Sequence, residues 1–97
     1  ALVRIMGSGE VAVKGYALEV ADHLRSRGRV FGVELLGPAP APIERVRGRW
    51  RHHILLRATG QSAAPLVKLL DEFTRGDLFR APGDISVHID VDPLRML

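Results

Sequence analysis

Residues 36–56 read LGPAPAPIERVRGRWRHHILL, and the order of the secondary-structure elements turns on how this stretch is divided. Proline donates no ladder hydrogen bond, so Pro38, Pro40 and Pro42 predict a stiff, polyproline-like connector over residues 37–42. From Arg49 the pattern changes. Trp50, His52, Ile54 and Leu56 alternate with Arg49, Arg51, His53, Leu55 and Arg57, which predicts a half-buried strand over Arg49–Ala58. The same stretch holds the charge of the chain. Arg45, Arg47, Arg49, Arg51 and Arg57 against Glu44 give residues 43–58 a balance of +4, while the whole chain carries +3. Extended arginines at alternate positions project to one side about 6.5 to 7 Å apart. A basic segment with one embedded aromatic, leading into a strand, is a place for a phosphate backbone to land. Trp50 faces the other way and reads as core; turned outward, it would stack on a base. The alternative is a solvated or salt-bridged strand face, or a surface docked on an acidic partner, with Glu34 and Asp90 as internal counter-ions.

Upstream, Val30–Leu36 alternates as a strand with Phe31, Val33 and Leu35 on one face. A helix precedes it from Glu10 to Arg27, where Val13, Ala17, Val20, Ala21 and Leu24 share an apolar stripe and Gly28 supplies a stop signal. Gly15 weakens that helix by about 1 kcal/mol against alanine. Residues 1–6 read as a short strand broken by Gly7-Ser8-Gly9. Downstream, Ser62 can cap a second helix with Pro65 in its first turn and Leu66, Leu69, Leu70 and Phe73 as its buried stripe. Ile85, Val87, Ile89 and Val91 alternate with Ser86, His88, Asp90 and Asp92 as a last strand, ended by Pro93.

The order is βαββαβ: an α+β, ferredoxin-like sandwich with a four-stranded antiparallel sheet and two helices on one face. The covered face takes Val3, Ile5, Phe31, Val33, Leu35, Trp50, Ile54, Leu56, Val87, Ile89 and Val91. The open face takes Arg4, Glu34, Arg49, Arg51, His53, Arg57, His88 and Asp90, and function is expected there.

Length and composition fit this layout. Ninety-seven residues suit one domain, 1–97. The chain opens on Ala1 inside a strand, so a piece of a longer protein is expected. No apolar run approaches the roughly 20 residues that span a bilayer, the N-terminus has no signal-peptide pattern, and no membrane partner is expected. With no cysteine, the chain offers no disulfide or thiolate zinc site, which is compatible with a cytoplasmic setting.

Catalytic chemistry finds few candidates. Ser8, Ser26, Ser62 and Ser86 lie in no nucleophile-elbow setting. Gly7-Ser8-Gly9 lacks the length and ending of a P-loop and reads as a turn. The arginine–asparagine pair of acyl-phosphate hydrolases of this topology is excluded because the chain has no asparagine. His52 and His53 are adjacent on a strand and point to opposite faces; His53, His88 and Asp90 could share the open face, but Asp90 is expected to pair with an arginine. The expected role of the chain is binding.

The combination of Leu36-Gly-Pro-Ala-Pro-Ala-Pro42, Arg47-Gly-Arg-Trp-Arg51 and Ile89-Asp-Val-Asp-Pro93 resembles the C-terminal domain of the PriA family of bacterial primosomal, replication-restart DNA helicases, over nearly the whole chain. The resemblance implies a domain shaped like a small ribosomal-subunit protein, in a longer ATP-dependent superfamily two helicase that is cytoplasmic and nucleoid-associated. It implies forked or single-stranded DNA as a partner, together with the other domains of that helicase, the single-stranded DNA-binding protein SSB and further primosome proteins. Arg47, Arg49, Trp50 and Arg51 fall on the family's Gly-Arg-Trp/Tyr-Arg motif. ATP, Mg²⁺ and Zn²⁺ are implied for the longer protein, and no cofactor for this chain. Family members that grip the acidic tail of SSB use basic and amide side chains at the start of the second helix. Here Gln61 is the one amide in that region and no arginine accompanies it.

Overall fold

The computed structural model describes residues 1–91, and for 42–46 the backbone alone. Its elements are β1 (Leu2–Gly7), α1 (Glu10–Phe31), β2 (Val33–Val46), β3 (Arg49–Ala58), α2 (Ala64–Arg75) and β4 (Ser86–Asp90), with a 3-10 turn at Asp77–Phe79. The strands form one antiparallel sheet in the order β2-β3-β1-β4. Both helices cover the same face, so the expected α+β sandwich is the fold.

The core follows from the period-two pattern of the strands. Val3, Ile5, Ile54 and Leu56 are fully buried, and β1 alternates half-buried with buried throughout. Against them lie Val13, Ala17, Val20, Ala21 and Leu24 of α1, and Leu66, Leu69 and Phe73 of α2. Burying each of the Val, Ile, Leu and Phe side chains among them contributes about 1.5 to 3 kcal/mol. The two helices are tied by Arg27, whose Nε donates to Glu72 Oε1 at 2.7 Å.

The element boundaries differ from expectation in three places. First, α1 runs past Arg27 to Phe31, with Gly28 buried inside it. A Cβ on Gly28 would lie 2.8 Å from the Val33 carbonyl oxygen, so this glycine permits a close approach to β2 and does not end the helix. The stop is Gly32, left-handed at φ 75, whose N–H donates to the Gly28 carbonyl. Phe31 therefore belongs to the helix, with the Arg27 guanidinium 5.5 Å from its ring centre, and not to the sheet face.

Second, the proline tract is part of β2. The strand pairs with β3 from Val33 to Val46, with register shifts between Leu36 and Ala39 and between Pro40 and Arg45. An edge strand has one unpaired side, where the missing N–H of proline costs no ladder bond. Third, β4 ends at Asp90, and Val91 is 48 % exposed instead of closing the core. Ser62 is not the expected cap: the N-cap of α2 is Ala63, which has no side-chain oxygen to offer. Ser62 stands one residue earlier, its hydroxyl accepting the Ala64 N–H at 3.1 Å, with Pro65 in the first turn of α2.

Candidate nucleic-acid interface

The register sorts the open face into rows. Arg57 stands beside Glu34; Leu55 lies between Leu36 and Leu2, with Asp90 beyond; His53 flanks Arg4, with His88 beyond; Arg51 flanks Met6, with Ser86 beyond. The face thus runs from an ion-paired row and an apolar leucine row at one side to a basic end at the other. At the basic end a shallow groove is lined by Arg4, Met6, Arg47, Arg49 and Arg51.

The arginines do not form one extended ladder. β2 turns back at Arg47–Gly48, both with positive φ (54 and 77), and β3 starts at Arg49. Consecutive positive φ values match the twist of a two-residue hairpin. Arg45 pairs in the backbone register with Trp50, and Val46 with Arg49, so Arg45 and Arg49 stand on opposite sides of a hairpin. The side chain of Arg45 lies outside the described residues. Arg47 is exposed at the turn, and Arg49 and Arg51 follow on the open face, which brings three of the expected arginines to one groove by folding back.

Their surroundings differ. Arg49 Nη2 donates to the Asp84 carbonyl at 3.1 Å, tying β3 to the loop before β4. Arg57 Nη2 lies 2.6 Å from Glu34 Oε2, far from the groove. Among the described residues Arg47 and Arg51 have no carboxylate within ion-pair distance. Trp50 is half-buried, packs against the core from the covered side and stands opposite Gly7. Arg4 Nε lies 2.8 Å from Asp90 Oδ2 without hydrogen-bond alignment, while its Nη2 donates to Oδ1 at 3.3 Å. That ion pair is the one expected for Asp90.

The groove also contains residues that linear spacing does not single out. Arg4 and Met6 lie more than forty positions from Arg51 in the chain, and only the β1–β3 pairing makes them neighbours. In the exposed loop that Arg49 contacts, Asp84 is held below the usual aspartate range, first by the Ser8 side chain, then by the Ser8 backbone, with Arg49 adding. Ser8 N–H donates to Asp84 Oδ2 at 3.0 Å.

Two other concavities lie away from this face. Gln61 lines a small one with Ala58, Gly60, Ser62, Ala63 and Leu66, before the first turn of α2. An apolar groove runs between α2 and β4, lined by Val67, Leu70, Asp71, Thr74, Ile89 and Val91. Among the described residues no three His, Asp or Glu side chains are grouped to hold a metal ion. No helix of the described residues is long and apolar enough to cross a membrane.

These features define a small α+β sandwich domain with one face covered by helices and one left open and basic at its end. The chain belongs to the family described as Primosomal protein N C-terminal domain, PriA_C, whose model matches residues 1–94. It is 38% identical over 69 residues to the Replication restart protein PriA of Treponema pallidum (strain Nichols), covering 69% of this chain and 10% of the relative. It is 32% identical over 75 residues to the Replication restart protein PriA of Haemophilus influenzae (strain ATCC 51907 / DSM 11121 / KW20 / Rd), covering 77% of this chain and 10% of the relative. The chain therefore spans about a tenth of the length of these relatives.

Proposed function

We propose that the chain is the DNA-binding C-terminal arm of a replication-restart protein, gripping branched or single-stranded DNA through its phosphates and helping to assemble the primosome. The observation that carries this reading is the groove of Arg4, Arg47, Arg49 and Arg51 on the open face, in which Arg47 and Arg51 have no ion pair among the described residues. The mechanism is electrostatic. Arginines neutralise phosphates and release counterions, so binding is independent of sequence and falls steeply with salt. The role is binding, and ATP hydrolysis is assigned to the rest of the longer protein. The names of the two relatives support a place in replication restart. The test is an anisotropy titration of the chain with single-stranded and forked DNA at two salt concentrations. Micromolar binding that collapses at the higher salt is expected, and no binding at low salt rejects the reading.

A second reading is a docking module for the other helicase domains or SSB, with little DNA affinity of its own. The exposed apolar groove between α2 and β4 favours contact with the rest of the longer protein. For SSB, Gln61 lines a concavity that offers no cation, so an acidic tail has little to hold it there. The same titration separates the two readings.

A further inference from the structure

Between the arginine groove and the leucine end of the open face runs a row with a different chemistry. Arg4 of β1 stands in register with His53 on one side and His88 on the other, so two imidazoles flank one guanidinium across three adjacent strands. Directly opposed side chains have Cβ atoms about 4.5 to 5.5 Å apart, which makes the row about 10 Å long. It lies on the uncovered side, because Val3 and Ile5, the neighbours of Arg4 along β1, are fully buried on the other. His88 is exposed and His53 half-buried. Asp90 holds the Arg4 guanidinium in place from the edge strand. The next row along, Leu36, Leu55 and Leu2, is apolar, and Leu36 is 49 % exposed.

Arg4 borders the arginine groove, but phosphate contacts at Arg47 and Arg51 leave the two imidazoles and the leucine row unused. Flat imidazole and guanidinium faces are instead the groups on which unpaired bases stack. A duplex keeps its bases stacked on one another and presents only their edges, in the grooves, so it can engage the arginine groove but has no free base face to rest on the row. A single strand can do both. Metal binding does not compete for the histidines, since Asp90 is taken by Arg4 and no three-donor group exists among the described residues.

We propose that His53, Arg4 and His88 form a base-stacking platform, so that the open face takes single-stranded DNA in preference to duplex. Phosphates lie along Arg47 and Arg51, one unpaired base rests on the His–Arg–His row, and the leucine row receives its neighbour. This rests on the DNA-binding reading above and adds to it a part of the ligand, the nucleobase.

The test compares an oligonucleotide single strand, an abasic strand of equal length and a duplex, each titrated by anisotropy against the wild-type chain, H53A/H88A and H53F/H88F. The single strand should bind tightest. Base stacking removed by alanine should lower single-strand affinity about tenfold and leave the abasic strand and the duplex unchanged. The phenylalanine variant keeps the flat faces and should restore single-strand binding. Equal losses on all three ligands, no loss on the single strand, or failure of phenylalanine to rescue would overturn the platform while leaving phosphate binding in place. If the wild type binds none of the three, the DNA-binding reading falls and this inference falls with it.

Discussion

Arg57 on β3 and Glu34 on β2 stand directly opposite each other, with Arg57 Nη2 2.6 Å from Glu34 Oε2. The charge of Arg57 is thereby answered within the domain, whereas Arg51, on the same face of β3, has no carboxylate within ion-pair distance among the described residues. The two arginines look equivalent in the sequence and differ in what they have left to offer a phosphate. R51A is therefore expected to weaken DNA binding clearly, and R57A to change it little while altering stability by no more than about 1 kcal/mol, as for exposed ion pairs. The combined R47A/R49A/R51A variant should lower the slope of log affinity against log salt by about 2 on single-stranded DNA, close to 0.7 per lost phosphate contact. Anisotropy titrations over a salt series give both numbers. A steeper effect from R57A than from R51A would show that the ion pair opens on binding.

Asp84 is expected to make part of the domain's stability depend on pH on the acid side. Its carboxylate accepts from Ser8 and is depressed below the ordinary value of 3.8, with Ser8 the main cause and Arg49 a minor one. A carboxyl whose pKa is lowered in the folded state contributes stability above its unfolded pKa, and that contribution is lost as pH falls through the folded value. D84N should thus be less stable than wild type at neutral pH, and the difference should shrink as pH falls below 3.8. Thermal melts of both proteins from pH 7 down to acid would show it. A difference constant with pH would mean that packing of the loop, and not its charge, holds β4 to β1.

Phe73 is the largest fully buried side chain, at 1 % exposure, and meets Phe79 edge-on at 5.7 Å between ring centres. Removing the ring leaves a cavity beside His23 of α1 and Phe79 of the 3-10 turn that these elements cannot fill without moving. F73A should cost about 3 to 5 kcal/mol, as large core truncations do. Denaturant unfolding reports the loss directly, with an unchanged m-value if the folded state keeps its shape.

The alternation of Val3 with Ile5, of Ile54 with Leu56 and of Val87 with Ile89 was legible because a half-buried strand writes its two faces into the sequence. The α2 stripe was legible for the same reason at helical spacing. What escaped reading depends on contacts between distant segments. Arg47 adopts a positive φ that arginine seldom takes, so nothing at that position announced the hairpin, and the arginines looked like one continuous ladder. The proline tract looked like a connector because the cost of proline depends on whether a strand is central or at an edge, which the chain order alone does not state. Arg4 and Met6 joined the groove only through the pairing of β1 with β3. The end of α1 was misplaced because a glycine can mark either a stop or a close approach.

That last ambiguity can be tested on two glycines of the same helix. Gly15 is exposed, and a Cβ there meets nothing within 4 Å. Alanine loses less backbone entropy than glycine on forming a helix, so G15A should stabilise the domain by about 0.5 to 1 kcal/mol. Gly28 has the same helical backbone and would gain the same entropy term. Its Cβ, however, would sit 2.8 Å from the Val33 carbonyl oxygen, a backbone atom that cannot swing away as a side chain could. The clash must be relieved by moving α1 off β2, in a core with little free space, and overpacking of this kind costs about 1 to 3 kcal/mol. G28A should therefore destabilise the domain although alanine is the better helix former. Thermal or denaturant unfolding of the two variants decides the matter: opposite signs are expected, and stabilisation by both would mean that the contact between α1 and β2 is looser than the backbone approach at Gly28 indicates.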